Sequence, residues 1–280
     1  MCATSAAQMW RECGLRREHS LRALMVLRSS KRVSVVAQTP VVGDLRVISW
    51  NLLRRVGASV EDVAKLIQSH RPDLLLLQEA TQEIAALPSL VGGHFVRHPM
   101  QKRIYGLAAW SPQPLPPPKV LNLPVSALPG RVPPRVAQVV QLRGVSFANA
   151  HLSHGQFLNR WQLFHIADSL EGPAAIIGDF NSVGPIIIPG FEDIGPRRKT
   201  HKAQNIIALR LDRCMARNLR CSSAKVLEKG SSDHHPIVLD LSIETEIRTR
   251  NPKGIFWRSR VLRQNAASLS QKARMFVKVR

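Results

Sequence analysis

Between Asp44 and Glu246 one device recurs: a short apolar run stops at a polar side chain able to bind a ligand or handle a proton. Leu45–Trp50 stops at Asn51, Leu74–Leu77 at Gln78-Glu79, Val145–Ala150 carries Asn149 and stops at His151, and Ile176-Ile177-Gly178 stops at Asp179 and Asn181. Asp212 follows Leu211 within a further apolar run, and Asp233-His234 precedes Pro236–Leu241. Runs this short, bounded by turn residues, read as strands. Strand ends are rigid places from which side chains can converge.

Helical signals lie between the runs. Ser59-Val60-Glu61-Asp62 supplies an N-cap and a capping-box acid ahead of Val63, Leu66 and Ile67, and Arg71-Pro72 ends that helix. Phe157, Leu158, Trp161, Phe164 and Ala167 fall at helical spacing and predict a second helix with that stripe facing the core. Further strands are expected at Gly106–Trp110, Ala174–Ile177, Ile206–Met215 and Ile237–Leu241. Val136–Leu142 and Val145–Ala150, joined by Arg143-Gly144, form a hairpin, while Pro112–Pro118 can only be a connection. Many strands, few helices and a hairpin argue for an α/β domain of packed sheets flanked by helices, not an all-parallel arrangement.

Charge bears on partners and not on fold. The 280 residues carry a formal charge of +21, of which residues 1–43 hold +5, residues 44–246 +6 and residues 247–280 +10. A mildly basic body with basic ends favours polyanions, nucleic acid first and an anionic membrane surface second. In the tail, Leu262, Ala266, Leu269, Ala273 and Phe276 form the apolar stripe of a basic amphipathic helix. Residues 1–43 read as a disordered extension, a start codon placed ahead of Met9 or Met25, or an Arg-rich targeting segment. No apolar run approaches the roughly 18–20 residues of a spanning helix. Cys2, Cys13, Cys214 and Cys221 include no CxxC pair, so neither a disulfide framework nor a zinc site is indicated. A cytoplasmic monomer is the expectation, with organellar targeting left open.

Carboxylates and amides without clustered Cys suit a hard cation, Mg²⁺ or Mn²⁺. A metal, a histidine and amide donors together are what in-line attack of water on a phosphate ester requires. The ordered series Ile48-Ser49-Trp50-Asn51, Pro72-Asp73 through Gln78-Glu79-Ala80, Asn149-Ala150-His151-Leu152, Gly178-Asp179-Phe180-Asn181, Leu211-Asp212-Arg213 and Ser232-Asp233-His234-His235-Pro236 resembles the endonuclease/exonuclease/phosphatase superfamily. The resemblance covers about residues 44–242 and implies a deoxyribonuclease I-like, four-layered α/β sandwich with two packed mixed sheets. It implies that Glu79 and Asn51 are metal ligands, with Asp233 a further metal-site residue. It implies that His234 is the catalytic histidine oriented by Asp212, that Asp179 activates or positions water, and that Asn181 holds the phosphate. His151 resembles a second histidine near the phosphate or leaving group, and Asn149 a residue lining the same site. These roles assign a cluster and no proton path.

Other residues have two readings. Arg135 is either a phosphate contact or a surface arginine. His151 is oriented by Glu83 or by no protein group. His154 is a loop histidine or a substrate contact, and Arg197-Arg198-Lys199 with Thr200-His201 is a phosphate grip or a solvated turn. Trp50 and Trp161 both read as core. The function expected is a nuclease-like, Mg²⁺-dependent phosphodiesterase. The alternatives are a phospholipid or inositol-phosphate hydrolase and a non-catalytic polyanion-binding module.

Overall fold

The computed structural model describes residues 44–126, 133–203 and 207–244. The N-terminal extension, the amphipathic stripe of the tail and residue 206 lie outside the described residues. In chain order the strands are β1 (Leu45–Asn51), β2 (Leu74–Ala80), β3 (His94–Pro99), β4 (Gly106–Ser111), β5 (Lys119–Asn122), β6 (Val136–Leu142) and β7 (Val145–His151). They continue as β8 (Ala174–Asp179), β9 (Glu192–Asp193), β10 (His201–Ala203), β11 (Ile207–Leu209), β12 (Asp212–Arg217), β13 (Leu219–Val226) and β14 (Ile237–Ile243). Helices are α1 (Val60–His70), α2 (Leu87–Val91) and α3 (Gln156–Asp168).

Two six-stranded sheets result, ordered β13-β14-β1-β2-β4-β3 and β5-β6-β7-β8-β12-β9, with β10 and β11 as a separate ribbon. Both are mixed: β1 runs parallel to β2 and β7 to β8, while their other pairings are antiparallel. The pleat sorts neighbouring residues into different layers. Val47, Leu74 and Leu76 pack between the sheets against Phe147, Ala175 and Ile177. Ile48, Leu75 and Leu77 face the other way, onto Val63, Ala64 and Ile67 of α1. On the far side Ala148, Ala174 and Ile176 meet Leu163 and Ile166 of α3. The four consecutive leucines of β2 are all buried because both of its faces are covered. This is the four-layered sandwich, helix on sheet on sheet on helix.

Ser59 caps α1 with the reciprocal Asp62 box, and Arg143 and Gly144, both at positive φ, close the β6–β7 hairpin. The strands not expected from sequence are β3, β5, β9 and β13, all at sheet edges, and β10 of the separate ribbon. An edge strand needs no apolar run, since one side of it faces solvent. The single strand expected at Ile206–Met215 is instead β11 and β12, interrupted at Arg210-Leu211. There the amides of Leu211 and Asp212 donate to Thr200 Oγ1, and the Arg210 guanidinium turns to Asp193.

Of the expected core stripe of α3 only Ala167 is buried and Leu158 half-buried; the aromatic members face outward. Phe157 is 94% exposed, and Trp161 and Phe164 are exposed with it, whereas Asn159, Gln162, Leu163 and Ile166 are buried. The polar residues hold the helix in this rotation: Asn159 Nδ2 donates to Asn181 O, and Gln162 bonds Ser153 twice and Pro124 O once. Trp50 is core, as expected.

Gly178 sits on β8 at φ 140, and a Cβ there would lie 2.1 Å from Ala150 O. The obstacle is backbone in the adjacent strand, which cannot swing aside. Gly178→Ala should lower the unfolding free energy by about 2–4 kcal/mol in a urea titration, combining backbone strain with overpacking.

Candidate active site

The C-terminal ends of β1, β2, β7 and β8 meet at one edge of the sandwich, as the registers Asn51↔Gln78 and His151↔Asp179 require. A cavity of about 440 Å³ opens there, lined by Asn51, Glu79, Arg135, His151, Asp179 and Asn181, with Asp233 and His234 joining from the loop before β14. Eight of the ten residues singled out from sequence thus share one cavity. Asp212 stands behind it, and Asn149 stands apart from it.

Asp179 is the hub. Its Oδ2 accepts from Asn51 Nδ2 at 3.1 Å and Asn181 Nδ2 at 3.3 Å, and its Oδ1 accepts from the Asn181 amide at 2.9 Å. Two imidazoles approach the same Oδ2, His151 Nε2 at 3.6 Å and His234 Nε2 at 3.7 Å. Asn181 takes a left-handed backbone (φ 46) to turn back on the carboxylate, with its Nδ2 also donating to Leu152 O.

The two histidines are held in opposite protonation states. His234 Nδ1 lies 2.8 Å from Asp212 Oδ2. Burial pushes its pKa down, but Asp212, Asp179 and the hydrogen bond to Asp212 outweigh burial and raise it to about 10. His151 has no comparable acid: burial and the neighbouring Arg135 guanidinium lower its pKa to about 3. Arg135 Nη1 lies 3.3 Å from His151 Nδ1, and because guanidinium only donates, that nitrogen is the acceptor and the ring proton sits on Nε2, facing Asp179. Arg135 is therefore a buried residue of the site and not a surface arginine. It, not Glu83, orients His151; Glu83 accepts instead from Thr81 Oγ1.

His151 gives a pH signature. Its unfolded form takes a proton near pH 6.5 and its folded form refuses it until about pH 3, so stability is lost as pH falls between those values. In metal-free protein, His151→Asn should flatten the dependence of unfolding free energy on pH in this window, by at most about 1.4 kcal/mol per pH unit. Urea titrations at pH 6 and pH 4 in EDTA check this.

On the opposite wall Glu79 adopts φ 55 within the irregularity between Leu77 and Ala80 in the β2–β4 pairing, which re-aims its side chain. Burial raises its pKa, opposed by Arg54 and Arg135. Its Oε2 is buried with no hydrogen-bond partner, and Arg54 Nε stands 3.7 Å away. Asn51 Oδ1 accepts from the Leu53 amide and keeps a second lone pair. A carboxylate oxygen that accepts no hydrogen bond and an amide oxygen with a free lone pair, both lining one cavity, fit a hard divalent cation.

Asp233 forms a second carboxylate corner. Its Oδ2 is 3.3 Å from His201 Nε2, and the hydrogen bond to His201 helps hold its pKa below the usual carboxylate range. His201, Asp233 and His234 bring their ligand atoms together, and the His201 and His234 rings lie 4.4 Å apart. Thr200, by accepting the Leu211 and Asp212 amides, sets the start of β12 and with it Asp212. Thr200 and His201 carry these roles, while the adjoining exposed Arg197 pairs with Asp193. Arg54 and Tyr105, in cation–π contact at 5.3 Å, also line the cavity. No sequence signal marked them beyond the position of Arg54 shortly after Asn51.

Asn149 is consumed between the sheets. Its Oδ1 accepts from Gln78 Nε2 at 2.7 Å, and its Nδ2 donates to Leu77 O and Ala108 O. The expectation that it lines the site is corrected: it ties β7 to β2 and β4 just beneath it. Trp50 Nε1 donating to His234 O, and Ser232 Oγ donating to Asn51 O, likewise stitch the end of β1 to the loop carrying His234.

The sequence matches the Endonuclease/Exonuclease/phosphatase family over residues 48–234. A UPF0294 protein of Vibrio parahaemolyticus is 23% identical over 227 residues, 72% of this chain and 79% of its own. Among solved structures, a humanized TDP2 of D. rerio superposes with a TM-score of 0.59 at 17% identity, covering 71% of this chain and 99% of that one. An endonuclease/exonuclease/phosphatase of Bacteroides vulgatus gives 0.60 at 16%, covering 72% and 100%. These likenesses show the deoxyribonuclease I-like fold. The matched segment runs from the first strand that builds the cavity to the histidine that closes it, and the chain belongs to the Endonuclease/Exonuclease/phosphatase family of phosphoester hydrolases.

Proposed function

We propose that the chain is a metal-dependent phosphodiesterase. The observation that carries this is the pair of buried imidazoles, one held charged and one held neutral, both aimed at Asp179 in a cavity also lined by Glu79, whose Oε2 accepts no hydrogen bond. Glu79 and Asn51 would hold Mg²⁺ or Mn²⁺, with Asp233 at a further metal position. Bound there, the cation would neutralise phosphate charge and polarise the ester.

The chain's own residues supply the rest. Asp179 Oδ2 lies where it can orient a water for attack, and the charged His234 presents Nε2–H to a phosphoryl oxygen. His151, with its proton on Nε2, donates toward the second ester oxygen, which is the group a diester has and a monoester lacks. Arg135 adds a fixed positive charge within the same wall. Arg54 and Arg135, both lining the cavity, favour an anionic phosphodiester.

Nicking of supercoiled plasmid, run beside hydrolysis of the soluble diester bis(p-nitrophenyl) phosphate, tests this. Both activities should require Mg²⁺ or Mn²⁺ and vanish with EDTA. Turnover of the soluble diester that persists in EDTA, or that is absent with both metals, overturns the reading.

A further inference from the structure

Among the described residues nine large apolar side chains are exposed, and they are not scattered. The strand registers place six of them on the loops of the catalytic edge. Val56 (78% exposed) follows β1, beyond Arg54. Ile104 lies in the β3–β4 turn, next to the pairing of Ala80 with Gly106. Val125 follows β5 at the end where Asn122 pairs with Val136. Phe157 opens α3, three residues after the cavity-lining His154, and Val183 and Ile187 (74%) follow β8, with Val183 itself in the cavity wall. Trp161 and Phe164 continue the band down the outer face of α3. Only Leu90, on α2, is set toward the opposite end.

We infer that this edge is a docking surface for an anionic lipid bilayer, and that the diesters brought to the cavity are those of amphiphiles held in that surface. The chemistry of the band selects the occupant. Valine and isoleucine can neither stack on bases nor hydrogen-bond to them, so a nucleic-acid platform would not use them. In acyl chains they find the environment they lack in water, and Phe and Trp are the side chains that settle at a membrane interface. Large apolar side chains left exposed together on the loops of one edge mark an interaction site.

Charge completes the match. Lys102 and Arg103 are exposed beside Ile104, and Arg54 stands half-exposed at the mouth. Apolar side chains interleaved with cations suit an anionic headgroup layer over hydrocarbon. A second copy of the chain fits poorly, since twofold pairing would set these cations against their own kind and cover the cavity. Within the membrane reading, the cavity faces the headgroup layer, where the phosphodiester of a phospholipid lies. This deepens the phosphodiesterase reading and rests on it for the substrate, whereas docking is read without turnover.

The test is flotation of the full chain with phosphatidylcholine vesicles with and without phosphatidylserine, comparing wild type with Phe157→Ser/Trp161→Ser/Ile187→Ser. None of the three touches the catalytic cluster, so the triple variant should keep its turnover of bis(p-nitrophenyl) phosphate. Wild type should float with the anionic vesicles, and the triple variant should lose at least about tenfold in bound fraction. Failure of wild type to float, or equal flotation of the triple variant, overturns the docking surface. A wild-type dimer that the triple substitution converts to monomer assigns the face to a second copy, and a selective loss of single-stranded DNA binding assigns it to nucleic acid; either overturns the inference. Loss of soluble-diester turnover in wild type with flotation intact would strike the phosphodiesterase reading alone.

Discussion

His234→Ala is expected to reduce kcat on a phosphodiester by about three orders of magnitude or more. The ring is locked by Asp212 at 2.8 Å and lies 3.7 Å from Asp179, so neither water nor His151 can stand in for it at Nε2. The same substitution should cost stability. Asp212 Oδ1 already lacks a hydrogen-bond partner, and removal of the ring leaves the whole carboxylate buried and unpaired, a loss of about 3–5 kcal/mol. His234→Ala/Asp212→Ala should recover part of that stability and none of the activity. Urea titration and steady-state kinetics on the two variants separate the effects. An active His234→Ala enzyme would remove His234 from the chemistry.

The pairing also has a pH dependence in metal-free protein. A histidine whose pKa rises to about 10 on folding contributes stability that is complete below pH 6.5 and is lost as pH climbs through 10. His234→Ala should lack that alkaline decline.

Glu79→Gln is expected to abolish the response to metal. In the metal-free protein the Glu79 carboxyl is half-buried, its pKa is raised and its Oε2 accepts no hydrogen bond, with only the half-exposed Arg54 3.7 Å away, so a neutral amide should change stability little. With Mg²⁺ the signs reverse. Wild type should gain thermal stability as the cation binds the folded state, by about 2.7 kcal/mol at a hundredfold excess over Kd. The variant should gain little and should lose about three orders of magnitude in kcat/KM. Melting curves with Mg²⁺ and with EDTA measure the first, kinetics the second. An equal Mg²⁺ shift in both proteins would move the ion away from Glu79.

Much of this site was legible because each functional residue follows or precedes an apolar run in a fixed order, and a parallel pair such as β7–β8 forces His151 and Asp179 to the same edge. What escaped was which partner each residue meets. Arg135 had two readings at its strand start, and only the fold shows that it is buried against His151, because β6 is the antiparallel neighbour of β7. Asn149 carries the same pattern as its neighbours, and only the packing of one sheet on the other shows that both ends of its amide are occupied. His201 and Asp233 meet through an isolated bridge between His201 and His234, a long-range pairing that no spacing encodes.

The outer layers were legible in unequal measure. The capping box of α1 is a four-residue motif, so sequence alone placed that helix start. In α3 the periodicity established a helix but not its rotation, because apolar residues lie all round it. Hydrogen bonds from Asn159 and Gln162 to distant loops, and not hydrophobicity, decide which side is buried. Sequence by itself determined the strand-rich body, its layered class and most of the polar residues that line the cavity, since these depend on short-range pattern and order along the chain. Tertiary structure alone decided the protonation of the two histidines, the partner of each buried polar group and which apolar side chains are left exposed on the loops of that edge. Those depend on the local dielectric, on neighbours far away in sequence and on which surface is left facing solvent.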